Sequence, residues 1–296
     1  MAEPNGNKRS ELLRIRILPR LRDGTMTLDM EIICVGNELL IGKILNTNAQ
    51  WLAKRATAVG IAVKRVTVVA DEVEETASAV REALQRKPRF IITTGGLGPT
   101  FDDKTLESIA KALNRKLGVN AKALQMVKEK QEARARERGI EKVEMTPPRI
   151  KMATIPEKTE PVHNPVGTAP AIRADLDGTI LIALPGVPSE MEAIFEETIA
   201  PLFEQASGGN AFYEKSIFVD NIMESTLAPL IDIVMQDNPR IYIKSHPKGR
   251  EGKPHMEIHF SINGKEAEKP EEKLQKAVVQ LSGLIEKSSG KIVSSA

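Results

Sequence analysis

A chain of 296 residues is long enough for one large domain with a smaller one, and at that length a substantial core is buried. Its 42 basic and 40 acidic residues leave a formal charge of +2, which excludes a global electrostatic commitment to nucleic acid or to an anionic membrane, so any anion site must be local. The single cysteine, Cys34, excludes an internal disulfide and a cysteine-built zinc site, and no apolar run approaches the ~18 residues of a membrane span, so a cytoplasmic protein is expected.

Residues 1–29 carry Lys8, Arg9, Arg14, Arg16, Arg20 and Arg22 against Glu3, Glu11, Asp23 and Asp29, and lack core periodicity. They read as a variable extension that the body of the protein does not need. A first domain is expected over 30–206. In it, strands at 31–35, 62–69 and 90–94 alternate with helices at 46–59, 72–85 and 105–113. That rhythm predicts an α/β fold, a mostly parallel sheet with helices on both faces. The charged helix at 121–138 contains Arg134-Ala135-Arg136-Glu137-Arg138, but Glu129, Glu132 and Glu137 interleave the positive charges, so it reads as a solvated face. With one Trp, two Tyr and seven Phe, the chain is also poor in the aromatic rings that stack bases, and a nucleic-acid partner is disfavoured. After an irregular stretch, an apolar strand at 179–184 leads into Pro185-Gly186-Val187-Pro188 and a helix from Ser189 to Glu204.

Ser207-Gly208-Gly209-Asn210 reads as a linker to a small α+β domain over 211–292, with strands at 212–219, 240–245 and 257–262 and helices at 224–235 and 271–286. In it, Gly249-Arg250-Glu251-Gly252 imitates an RNA-binding GxxG clamp, yet its alternating flanks predict a hairpin loop. His255, Glu257 and His259 fall on one face of a strand, an arrangement able to hold a metal, although a solvent-facing polar side explains it without one.

Chemistry is expected at the carboxyl ends of the parallel strands. After strand 90–94, the turn Gly95-Gly96-Leu97-Gly98-Pro99-Thr100 leads toward a helix. Glycine lets backbone amides approach a ligand, and a helix start offers unpaired N–H groups, a combination that binds phosphate. The motif is neither a Walker loop nor a dinucleotide fingerprint. Asp102 and Asp103 follow at once, and paired acids beside a phosphate cradle call for an intervening cation unless one of them merely caps the helix. Glu38, Asp71 and Asp103 all follow strands and can converge at one edge, and Asn46, Thr47 and Asn48 add neutral polar groups, with Asn46 or Thr47 also a candidate cap.

Gly36-Asn37-Glu38-Leu39-Leu40, Asn46-Thr47-Asn48, Thr93 through Asp103 with Thr105, Asn164-Pro165-Val166-Gly167-Thr168-Ala169-Pro170 and Leu184-Pro185-Gly186-Val187-Pro188-Ser189-Glu190-Met191 together resemble the competence-damage protein CinA family. Its amino-terminal part is related to the molybdopterin-binding domain of molybdenum-cofactor biosynthesis. The resemblance implies a molybdopterin-binding-like fold and metal-dependent hydrolysis of a nucleoside diphosphate-sugar, ADP-ribose to AMP and ribose 5-phosphate. It also implies a divalent ion (Mg, Mn or Co), potassium as a further ion, a small nucleotide substrate and a homo-oligomer, dimer or trimer. A mechanism consistent with the residues and with the resemblance holds the metal around Asp71 and Asp103, with Asp103, Asp71 and Glu190 carrying the chemistry; Glu190 is a candidate second ligand or base, or only complements the helix dipole. Substrate contacts fall on Gly36, Asn37, Glu38, Asn46, Asn48 and Thr94, on the turn from Gly95 to Thr100, and on Thr105, Gly167, Thr168, Pro185 and Gly186. The same residues suit two alternatives: a molybdopterin-cofactor binding or biosynthesis protein, or a non-catalytic nucleotide-binding module. Longer relatives add a nicotinamide mononucleotide deamidase domain, expected to be absent here. Asn37 stands where the family has threonine, and Pro148-Arg149-Ile150-Lys151 departs from its Asn-Arg pair.

Overall fold

The computed structural model describes residues 28–139, 143–209, 211–248, 255–264 and 268–295. Expectations for residues 1–27, Asn210 and the Gly249-to-Gly252 loop therefore lie outside the described residues.

Strands without polar alternation need cover on both faces. That is the situation of β1 (Asp29–Val35), which is followed by the short α1 (Asn37–Leu40), α2 (Thr47–Ala58), β2 (Ala62–Val69), α3 (Val73–Arg86) and β3 (Phe90–Thr94). The chain continues through α4 (Thr105–Ala112), β4 (Leu117–Val119), α5 (Ala121–Glu137), α6 (Pro147–Lys151), β5 (Thr154–Pro156), β6 (Glu160–Val162), β7 (Ala171–Asp175) and β8 (Ile180–Leu184). The six-stranded sheet runs β2-β1-β3-β8-β7-β6; the first four strands are parallel, and β7 and β6 join antiparallel. Strand alternation splits the core in two. Met30, Ile32, Cys34, Phe90 and Ile92 face α2 and the segment after β8, whereas Ile33, Val35, Ile91 and Leu181 face α3, α4 and α5. Glu31, 4% exposed on β1, is neutralised by a bidentate pair with Arg86 of α3 at 2.7 Å for both contacts.

The helix read from Ser189 to Glu204 is interrupted: α7 (Pro188–Ile194) passes into a π turn at Phe195–Ile199 and then into α8 (Ala200–Ser207). Pro201, in the first turn of α8, has no N–H to donate back, which breaks the regular ladder there. The widened turn seats Phe195, whose ring meets Trp51 and Phe203 edge-on at 5.2 and 5.6 Å. The irregular stretch before β8 holds α6 and β5 to β7; strands of three residues such as β5 and β6 are too short to show a period.

The second sheet is wholly antiparallel, β10-β11-β9-β12, built from β9 (Phe212–Asp220), β10 (Tyr242–Pro247), β11 (His255–Asn263) and β12 (Lys291–Ser295). One face packs on α9 (Glu224–Asp237) and α10 (Pro270–Lys287) around Phe260, Leu274 and Leu281. No helix of the described residues is long and apolar enough to cross a membrane.

Candidate functional site

The carboxyl ends of β1, β3 and β8 open into a cleft of about 490 Å3. Its floor is the glycine turn. The Gly95 amide bonds to the Leu184 carbonyl at 3.1 Å, which docks the turn on β8. Gly96 has φ 67°, and a Cβ there would lie 2.3 Å from Thr105 Oγ1, so glycine alone fits. Thr105, fully buried, spends its hydroxyl on the Gly95 carbonyl at 2.8 Å. The amides of Gly96, Leu97 and Gly98 have no acceptor among the described residues, while the Leu97 side chain anchors the turn in the core. Three open donors on one concave turn form an anion-binding nest.

Beyond the turn, residues 100–103 close a box. Asp103 Oδ2 accepts from the Thr100 amide at 2.8 Å and the Thr100 hydroxyl at 2.6 Å, and the Asp103 amide bonds back to the Thr100 carbonyl. Asp102 is exposed and also approaches the Thr100 hydroxyl, which holds its carboxyl below the ordinary range. Lys151, from α6, donates to the carbonyls of Gly98, Thr100 and Asp103. Burial pushes its ammonium pKa down, against the opposing pull of Asp103, Asp102 and Glu107.

A second wall comes from the loop before β7. Asn164, 3% exposed, donates from Nδ2 to Glu190 Oε2 at 2.8 Å and to the Ala169 carbonyl at 2.9 Å, while its Oδ1 accepts from the Val166 and Gly167 amides. Gly167 packs directly under the carboxylate: a Cβ there would lie 1.9 Å from Glu190 Oε2 and displace it. Helix α5 straps this loop down, with Lys130 Nζ on the Pro165 carbonyl and Arg134 on Thr168 Oγ1 at 2.6 Å.

Of the residues singled out from sequence, Glu38, Asp71, Gly95, Gly96, Leu97, Gly98, Pro99, Asp103, Thr168, Pro185, Gly186 and Glu190 line this one cleft. Gly36, Asn37, Asn46, Asn48, Thr94, Thr100, Thr105 and Gly167 do not line it. Asn37 ties the loop after β1 to that after β2, its amide on Asp71 Oδ2 at 2.8 Å. Asn46 caps α2 by accepting from the Ala49 amide at 3.1 Å. Asn48 bridges β3 and β8 through Thr94 Oγ1 and the Gly186 carbonyl, and Thr94 donates to the Pro185 carbonyl. The cap at α4 is Lys104 without a side-chain bond, so neither Asp102 nor Asp103 plays that part.

Sequence reasoning missed Gln131, Arg134 and Met152 on the cleft wall. From sequence, Arg134 reads as part of a solvated face. Only the contact between the far turns of α5 and the 164–168 loop brings it in, and no local spacing signals that. The lining carries five carboxylates, Glu38, Asp71, Asp102, Asp103 and Glu190, against this one guanidinium. No group of three or more His, Cys, Asp or Glu converges for a metal among the described residues. Glu38, Asp71 and Asp103 thus share the cleft without forming a three-carboxylate cage. His255, Glu257 and His259 do share a strand face, where they pair with β9: His255 with Asp220 at 2.6 Å, Glu257 with Ser216 at 2.9 Å and His259 with Glu214 at 3.8 Å.

The family model for a probable molybdopterin binding domain matches residues 31–205. A protein of Pyrobaculum arsenaticum is 44% identical over 264 residues, 89% of this chain and 97% of the relative. One of Aeropyrum pernix is 44% identical over 262 residues, 86% of this chain and 95% of its own length. The crystal structure of the protein CinA of unknown function from Thermoplasma acidophilum is 40% identical, with TM-score 0.53, covering 59% of this chain and 98% of that one.

Proposed function

Since the chain belongs to the probable molybdopterin binding domain family, we propose that its cleft binds a phosphate-bearing pterin of the molybdopterin kind, in a role of cofactor binding or biosynthesis. The observation that carries this reading is the turn itself, with the Gly96, Leu97 and Gly98 amides unpaired on the cleft floor. They suit a phosphate, and the cleft volume of about 490 Å3 is within the range of small-molecule sites. The carboxylates on the other walls suit the N–H donors of a reduced pterin ring, because an ionised carboxylate only accepts.

The donor set does not make a protein-built metal cage. Magnesium, however, is commonly bound by one or two carboxylates together with substrate phosphates. Asp103 fits that part: one of its oxygens is spent on Thr100 and the other makes no hydrogen bond. Asp71 fits in the same way, with Oδ2 accepting from the Asn37 amide and Oδ1 making no hydrogen bond among the described residues. An ion so shared would screen the phosphate from the acids of the cleft. Asp103 would hold it and Lys151 would hold the backbone beneath it.

One feature favours hydrolysis of a nucleoside diphosphate-sugar as a second reading. Glu190 Oε1 makes no hydrogen bond and lines the same cleft, so it is free to take a proton from water. Calorimetric titration with molybdopterin and with ADP-ribose, with and without magnesium, separates the readings. Saturable molybdopterin binding with ADP-ribose left intact is expected. Turnover of ADP-ribose, lost in Glu190→Gln, would favour the second reading, and no binding of either would overturn both.

A further inference from the structure

We propose that the ammonium of Lys151 is the resident cation of the phosphate turn. It fills a cage of backbone carbonyls beneath residues 98–103 and so fixes the backbone that directly follows the Gly96, Leu97 and Gly98 donors. The inference deepens the reading of the turn as a phosphate site and rests on it.

Lys151 Nζ lies 3.2 Å from the Gly98 carbonyl oxygen and 2.6 Å from that of Asp103, with the Thr100 carbonyl as third partner. An ammonium has three N–H bonds, so its donor capacity is spent on this one segment. Three carbonyl dipoles aimed at one point repel one another unless a cation sits there. The residue does not line the cleft, so it acts through the turn and is a positioning residue.

Peptide geometry carries the effect across. In a planar trans peptide the C=O and the next N–H point in opposite directions. Carbonyls of Thr100 and Asp103 turned toward Nζ therefore send the Phe101 and Lys104 amides away from it. Neither amide has an acceptor among the described residues. The box between Thr100 and Asp103 locks the same segment from the side. The two prolines that open α6, Pro147 and Pro148, fix the short helix that presents the lysine.

The test compares Lys151→Ala, Lys151→Met and Lys151→Arg in the full chain by amide hydrogen exchange of residues 96–104 without ligand, and by titration with inorganic pyrophosphate. Lys151→Ala and Lys151→Met are expected to speed exchange across the turn and to weaken pyrophosphate binding at least about tenfold, the worth of one charge-assisted hydrogen bond. Propylammonium, which replaces the missing stem and charge, restores both readouts in Lys151→Ala but not in Lys151→Met, whose stem blocks entry. Lys151→Arg keeps the charge and retains part of the affinity. Should Lys151→Ala not fold, Lys151→Met carries the comparison alone. Wild-type exchange and affinity in Lys151→Met would overturn the inference. If wild-type protein fails to bind pyrophosphate, the functional reading falls, while the exchange arm still decides the role of Lys151.

Discussion

The carboxyl end of the parallel strands and the open face of the antiparallel sheet are both rich in acids and polar groups, yet they differ in what those groups have left to give. On the open face, His255 and Glu257 find Asp220 and Ser216 on the neighbouring strand at hydrogen-bond distance, and His259 lies 3.8 Å from Glu214. In the cleft, three backbone amides have no acceptor and five carboxylates face one guanidinium. A solvated face satisfies itself, whereas a site holds unpaired capacity on a concave surface. Density of charge does not tell the two apart.

Removing the Asp103 carboxylate should strain that contrast most. Asp103→Ala deletes the acceptor of two hydrogen bonds from Thr100 and the candidate metal oxygen, so affinity for a phosphate ligand should fall about a hundredfold, on the order of 3 kcal/mol. Asp102→Ala, at an exposed carboxylate, should change it less than about threefold. Equal losses in the two variants, measured by calorimetry, would remove the distinction drawn between them.

A smaller effect is expected at the second wall. Gly167→Ala drives a methyl into Glu190 Oε2 and should displace the carboxylate or the loop, costing about 1–3 kcal/mol of stability with a matching fall in melting temperature. Unchanged melting and unchanged ligand affinity would show that the loop gives way freely. Gly96→Val is the less informative substitution, because its Cβ would collide with Thr105 and strain a positive φ, so lost binding would not be separable from a damaged turn.

The smallest effect belongs to the open face. A double His255→Ala, His259→Ala variant should lie within about 0.5 kcal/mol of wild type in stability and bind the same ligand and the same amount of metal. A lost equivalent of zinc, read by metal analysis, would turn that face into a site.

The parallel half of the fold was legible because β1, β3 and β8 are unbroken buried runs separated by amphipathic helices. The glycine turn was legible because positive φ at Gly95 and Gly96 and the close approach of Asp103 to Gly98 all call for that residue type in one short stretch. Motif matching could not tell a residue that touches the cleft from one that braces it: Thr94 and Thr105 sit in the same motifs as Gly96 and Glu190 but spend their hydroxyls on the protein, and Asn48 spends its Nδ2 there. The roles of Arg134 and Lys151 escaped for the opposite reason, although both residues stand in segments the sequence singles out. Each reaches the site from a distant helix by packing, and charge periodicity along α5 reports only that its surface is polar.

The central claim is that the Gly96, Leu97 and Gly98 amides receive a phosphate. Backbone amide chemical shifts of the labelled protein during a titration with inorganic pyrophosphate and magnesium test it most directly. These three amides should move together, downfield and saturably, with smaller shifts at Lys151 and Asp103. Shifts confined to the β9–β11 face, or none anywhere on the turn at saturating pyrophosphate, would contradict it.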